Sequence, residues 1–253
     1  VPKPRGAFKD HFSSRAAGYA KFRPSYPDAL FDWLQSLAPG RSLAWDAGTG
    51  NGQAARALAR RFERVLATDA SEQQIAHAEP HARITFCVAP AHESGLEPRT
   101  CDLVTAAQAL HWFDIPAFFA EARRVLVPRG IIAVWTYGGP ALDDKACDAV
   151  LQNYVREVDP YWPPERVLVE TGYRTVAFPF EEIAAPALEL EMMTTVDAFA
   201  GYVRTWSATE RYGKELGKDP VAQLEAALRR LWPDRESRRA HWRLSVRAGR
   251  NRP

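Results

Sequence analysis

Residues Trp45-Asp46-Ala47-Gly48-Thr49-Gly50-Asn51-Gly52 place three alternating glycines directly after a short apolar run, Ser42 to Asp46. A run of that kind reads as a buried parallel strand. A glycine-rich turn behind it lets a ligand approach the backbone closely, and the next helix offers free N–H groups at its start. A dinucleotide site needs G-x-G-x-x-G. Here the third glycine of that pattern is missing, because Gln53 follows Gly52. An acid, Asp46, stands directly before the turn, which suits a cationic ligand better than a pyrophosphate.

Working outward, strands and helices alternate. Gln53 to Phe62 reads as helix, Arg64 to Thr68 as a second strand ending at Asp69, and Ser71-Glu72-Gln73-Gln74 as a capping box opening another helix. Strands follow at Ile84–Val88, Asp102–Ala106 and Ile131–Trp135, with a helix from Ile115 to Leu126 stopped by Pro128-Arg129-Gly130. Upstream, Ser25 to Leu34 opens a helix near Pro27. Alternation of this kind predicts an α/β, doubly wound, mostly parallel sheet. After Gly138-Gly139-Pro140 the rhythm changes: helix over 141–158, an aromatic break at Asp159 to Pro164, a strand near Leu188–Thr195, helices at Val196–Trp206 and Val221–Leu231, and a last strand near His241–Arg247.

The glycine turn and its surroundings resemble motif I of the class I S-adenosylmethionine-dependent methyltransferases, roughly D/E-x-G-x-G-x-G, with Asp46, Gly48, Gly50 and Gly52 in register. Asp69 lies 17 residues past Gly52, where that family's acid binds the ribose hydroxyls. Ala91-His92-Glu93 follows the third strand, where the family contacts adenine, and Pro128-Arg129-Gly130 is similar to its L-x-P-G-G turn with Arg in place of one Gly. Phe12 to Tyr19, Arg23 to Pro27, Gln108 to Asp114 and Gly201 to Ser207 resemble the type 11 branch that includes trans-aconitate methyltransferase-like proteins. The resemblance implies a seven-stranded Rossmann-like sheet with inserted C-terminal helices, in one methyltransferase domain over residues 1–253. Within it, 1–40 would cover the cofactor, 41–140 form the cofactor-binding core, and 141–253 complete the sheet and cover the substrate.

The resemblance also implies roles. S-adenosyl-L-methionine is the expected cofactor. Asp46 would orient its methionine amino end, directly or through water, Gly48, Gly50 and Gly52 would admit it, Asp69 would accept from the ribose, and Ala91 and His92 would meet the adenine. Tyr19 and Arg23 would close over it, Arg23 pairing with its carboxylate. Gln108 and His111 would face the sulfonium, with His111 the candidate catalytic base. Trp112, Tyr137, Tyr202, Arg204 and Trp206, with Trp162 and Arg211, would shape an acceptor pocket of aromatic walls and positive charge. That combination suits a small anionic acceptor, and O-methylation of a carboxylate, which needs no base, is the expected reaction.

Composition fits this reading. The 253 residues are 46% apolar and 25% charged, which excludes a disordered or low-complexity chain. No stretch reaches the ~20 apolar residues of a membrane span. Three separated cysteines, Cys87, Cys101 and Cys147, give neither a disulfide framework nor a zinc site, and no metal is expected. With a polar start that lacks a secretory pattern and the look of a trimmed terminus, they predict a reducing, cytoplasmic setting. From Arg204 to Pro253 there are 13 Lys/Arg against 6 Asp/Glu. That surplus leaves open an RNA or protein methyltransferase, although arginines spread among Leu, Trp and Glu speak against nucleic acid as a partner. A non-catalytic S-adenosylmethionine-binding protein also stays open. So does a nicotinamide-dependent oxidoreductase, which the missing third glycine disfavours. Oligomeric state is not written in the sequence.

Overall fold

A computed structural model describes residues 24–233 and 235–252. Tyr19, Arg23 and most of the expected cofactor-covering segment lie outside the described residues.

Strand β1 (Leu43–Ala47) is buried at every position because strands flank it on both edges and helices cover both faces. Its side chains divide by the two-residue period: Leu43, Trp45 and Ala47 enter one core, Ala44 the other. Strands β2 (Arg64–Asp69), β3 (Ile84–Val88), β4 (Cys101–Ala107) and β5 (Leu126–Tyr137) run parallel to it. On one face, helix α1 (Asp28–Leu37) inserts Leu30, Phe31 and Leu34, and helix α2 (Gln53–Ala59) packs its alanines and Leu58. After the short helix α3 (Glu72–Ala76), helix α4 (Ile115–Val125) covers the other face with Phe118, Phe119, Ala122 and Val125. These are the amphipathic stripes that spacings of three and four residues produce.

The second half completes the sheet. Short β6 (Ala141–Leu142) is followed by helices α5 (Lys145–Val158) and α6 (Arg166–Glu170), then β7 (Glu181–Ile183) and β8 (Leu188–Thr194). Helices α7 (Val196–Arg204), α8 (Ser207–Leu216) and α9 (Val221–Arg229) lead into the long β9 (Arg238–Arg250). Strand β9 is antiparallel to all its neighbours. Leu244 faces Tyr137 and Leu188, and Ala240 faces Leu142 and Met192. Since a strand has two edges, β6 continues the column of β5 and β7 shares that of β8. Nine strands among the described residues thus occupy the seven columns expected of the fold.

Several boundaries differ from expectation. The helix predicted over 141–158 begins at Lys145, because Asp144 caps it by accepting from the Cys147 N–H at 2.9 Å while Ala141 and Leu142 pair with β9. The helix at 196 ends at Arg204, and a separate α8 follows. Helix α4 ends at Val125 and β5 begins at once, so Pro128-Arg129-Gly130 is a bulge within that strand. Arg129 there has φ 65°, the left-handed region that a glycine would occupy without strain. Cys87 is exposed on the edge strand, while Cys101 and Cys147 are buried as free thiols.

Candidate active site

The chain winds outward from β1 through β2 to β3, then returns to β4 beside β1. The carboxyl ends of β1 and β4 therefore diverge into a crevice, the place where open α/β sheets bind ligands. A cavity of about 620 Å³ occupies it, lined by Gly48 to Asn51, Asp69, Ala91, His92, Gln108, Trp112 and Tyr137 among others.

The glycine loop owes its shape to local sterics. Gly48 has φ 66°, and a Cβ there would meet Ala109 at 2.7 Å and Phe113 at 2.8 Å. Gly50 also has positive φ, but the space a side chain would take is open except for Gln74 at 3.7 Å, on the cavity side. Gly52 packs against Phe86 and does not line the cavity. Asp69 ends β2 with its carboxylate fixed by two backbone donors: Gly50 N–H to Oδ2 and Ser71 N–H to Oδ1, each at 2.9 Å. A carboxylate has about four acceptor directions, and one bond to each oxygen sets its plane where it lines the cavity. Ala91 and His92 line the cavity from the turn after β3.

Asp46 lies under the loop rather than on the cavity wall. Its side chain is fully buried beneath the loop, where Oδ1 accepts from Thr105 at 2.6 Å and Oδ2 from Thr49 at 2.7 Å, and it does not line the cavity. Burial pushes its pKa up to about 6, against the pull of the two threonine bonds. At neutral pH it is mostly ionised, and its charge acts on the cavity through the loop rather than by contact.

A second cavity, about 470 Å³, adjoins the first and shares Gln108, Trp112 and Tyr137 with it. Its walls include the predicted Trp162, Tyr202, Trp206 and Arg211, brought from α5's C-terminal break, α7 and α8. Arg204 is not among them. It points away and pairs with Asp219 and Glu225, so its predicted acceptor role is corrected to a structural one. In its place stands Arg166, which no sequence motif marked. Its guanidinium lies 4.2 Å from the Trp162 ring centroid and bonds Glu170 at 3.3 Å. Among the described residues Arg211 makes only a 3.3 Å bond to the Tyr161 carbonyl. Asp159 and Glu170 also line this chamber.

His111 sits in a one-turn 3₁₀ segment (Leu110–Trp112) and lines the second chamber, not the first. Its Nδ1 lies 2.9 Å from the Tyr173 hydroxyl. Burial, with the charge of Arg166 second, lowers its pKa to about 3, so the imidazole is neutral. Gln108 forms the wall between the chambers at φ 53°, a strained geometry that bends the chain out of β4. Tyr173 too was missed. It lies in a featureless turn 62 residues away in sequence, and no local signal marks it.

Known proteins bear on this geometry. A family profile described as "Methyltransferase domain" matches residues 45–134, the span from β1 into β5. A Dictyostelium discoideum protein named "Putative methyltransferase" is 31% identical over 232 residues, covering 90% of this chain and 88% of that one. The solved structure of a "Putative Type II Methyltransferase" from Anaeromyxobacter dehalogenans superposes with a TM-score of 0.87 at 48% identity, covering 92% of this chain and 99% of that one. The fold is shared, at TM-score 0.50 and 18% identity, with a Haemonchus contortus phosphoethanolamine N-methyltransferase solved with S-adenosyl-L-methionine, covering all of this chain and 62% of that one. Gly50's open cradle and Asp69's oriented carboxylate at the sheet's switch point fit that cofactor, and the chain belongs to the class I S-adenosylmethionine-dependent methyltransferases.

Proposed function

We propose that the protein transfers a methyl group to oxygen on a small, planar organic acid. The observation that carries this reading is the pair of joined chambers. A cofactor cavity opens through Gln108, Trp112 and Tyr137 onto a bounded second cavity walled by aromatic rings. The second volume accommodates a metabolite-sized acceptor and argues against a merely cofactor-binding protein. Bound S-adenosylmethionine supplies a methyl already activated by its sulfonium. The chain's own task is to hold the acceptor in line and keep water out.

Arg166 and Arg211 anchor the acceptor's carboxylate, and Trp112, Trp162 and Trp206 sandwich its plane. The basic C-terminal half favours this over RNA. Arg204, Arg229, Arg238, Arg239 and Arg247 are all ion-paired, several with acids that precede residue 204, such as Asp143, Asp144, Glu182, Glu191 and Asp197. The local surplus seen in the sequence is thereby largely neutralised in three dimensions. No helix among the described residues is long and apolar enough to cross a membrane.

Calorimetric titration with S-adenosylhomocysteine tests the cofactor half. Wild type should bind, and Asp69→Ala should weaken binding about 10- to 100-fold, the worth of roughly 1.5–3 kcal/mol of charge-assisted hydrogen bonding. Arg211→Ala should leave that affinity unchanged while abolishing stabilisation by small aromatic acids in thermal melts. Undiminished binding by Asp69→Ala would sink the assignment of the first cavity, and acid effects indifferent to Arg211 would sink that of the second.

A further inference from the structure

Trp162, Arg166 and Glu170 form a local cluster around α6 that turns one arginine into a planar receptor. Arg166 and Glu170 stand one helical turn apart, and Glu170 Oε1 accepts from Arg166 Nε at 3.3 Å. The guanidinium lies over the Trp162 ring. One edge and one face are thereby taken. The Arg166 side chain is only 16% exposed, yet among the described residues neither of its terminal nitrogens hydrogen-bonds to an acceptor. What remains is the edge bearing both terminal nitrogens, the fork that matches the two oxygens of a carboxylate.

Space beside that fork is kept open. A Cβ on Gly138 would lie 4.0 Å from Arg166 Nη2 and meet no other atom within 4 Å, and one on Gly139 would meet nothing. Neither glycine has the positive φ that would demand it. Gly138 follows Tyr137, which lines both cavities, so the fork stands beside the partition between them. The rings of Trp162, Trp206 and Tyr202 continue from the guanidinium as one wall, with successive centroids 5.9 and 5.7 Å apart. Charge around the chamber is balanced. Arg166 and Arg211 are matched by Asp159 and Glu170, of which Arg211, Asp159 and Glu170 are exposed, while His111 is neutral. Arg166 is therefore the one inward cation among the described lining residues.

We propose that the second cavity selects a monocarboxylate, gripped edge-on by the fork of Arg166 with Glu170 as its positioning residue, and rejects neutral and doubly charged molecules of the same shape. This rests on the second cavity being the acceptor site. A neutral amide offers the fork one acceptor oxygen and turns its own N–H groups against the other nitrogen. A single carboxylate fills the fork, with Arg211 adding positive charge from the rim. A second carboxylate would enter a partly desolvated chamber with no second inward cation and with Asp159 and Glu170 repelling it. Glu170 thus has two effects: its oxygen aims the fork, and its charge sets the limit of one negative charge on the ligand.

The test is calorimetric titration of the full chain, with S-adenosylhomocysteine bound, by four probes: benzoate, benzamide, isophthalate and monomethyl isophthalate. The last two share a shape and differ in charge. Benzoate and the monoester should bind, benzamide should not, and the monoester should bind more tightly than isophthalate. Failure of benzoate or the monoester to bind overturns the proposal, as does isophthalate binding as tightly as its monoester. Glu170→Gln keeps an oxygen for Nε but removes the charge, and should narrow the gap between monoester and diacid about 2- to 5-fold. An unchanged ratio would overturn the electrostatic limit. Arg166→Lys keeps the charge without the fork and should weaken benzoate about tenfold or more. Gly138→Val fills the space beside the fork without left-handed strain, and should block benzoate while S-adenosylhomocysteine affinity and melting temperature hold. Benzoate binding undiminished in either variant overturns the site. S-adenosylhomocysteine affinity is measured separately in each protein, so failure of the charge selection and failure of the methyltransferase site are distinguishable.

Discussion

Asp46 shows how a single buried carboxylate tunes both stability and site. Its folded pKa of about 6 stands above the ordinary value of 3.8, with burial the largest cause. The native state therefore holds a proton that the unfolded chain has already lost between about pH 4 and 6, and stability falls as pH rises through that window. Two pKa units correspond to about 3 kcal/mol. Urea denaturation across pH 4–7 should show this decline in wild type and not in Asp46→Asn, which keeps a carbonyl to accept from Thr105 or Thr49. A slope that survives in the variant would assign it to another group. The same carboxylate lies under the glycine loop, so the fold tolerates the destabilisation in return for negative potential where a cationic cofactor binds.

At the scale of elements, α4 is tied to the loop after β3 that lines the first cavity. Glu121 accepts from Ser94 N–H at 2.9 Å and Oγ at 2.5 Å, and from Arg124, whose bonds are the largest cause of its pKa falling to about 2. This is the opposite case to Asp46. The stabilisation is fully present above the unfolded value near 4.5 and is lost as pH falls toward 2. Glu121→Ala leaves the buried Ser94 N–H without its partner and should cost about 2 kcal/mol in chemical denaturation. It should also loosen the turn carrying Ala91 and His92, read as faster amide exchange there. Unaltered exchange would show that the turn is held by other contacts.

Across the whole molecule, the second cavity depends on how the second half closes on the first. Gly172, at φ 59°, lets the turn after α6 press on β9, where a Cβ would come within 2.8 Å of Ser245. Tyr173 follows it, also at positive φ, and Arg247 of β9 donates to its carbonyl at 2.7 Å. The strand that completes the sheet thus sets the phenol beneath His111. Gly172→Ala combines left-handed strain with overpacking and should cost about 2–4 kcal/mol. Methyl transfer should fall while S-adenosylhomocysteine affinity is kept, because the first cavity touches none of these residues. Equal loss of both would mean that the two chambers are not mechanically separable.

The amino-acid sequence by itself determined the first half of this protein. The glycine turn, Asp69 and the turn after β3 are local signals, since each follows its own strand by a few residues and the parallel sheet leaves them only one end at which to meet. The second cavity was legible in part: Trp162, Tyr202, Trp206 and Arg211, read together in the sequence, line it. Tertiary structure decided which arginine faces the chamber: Arg204 is drawn to Asp219 and Glu225, while Arg166 lies over the Trp162 ring. It also decided that Asp46 goes under the loop, that short strands join distant segments to β9, and that Tyr173 stands behind His111. Those outcomes depend on contacts between residues far apart in the chain, whose partners no local spacing can name.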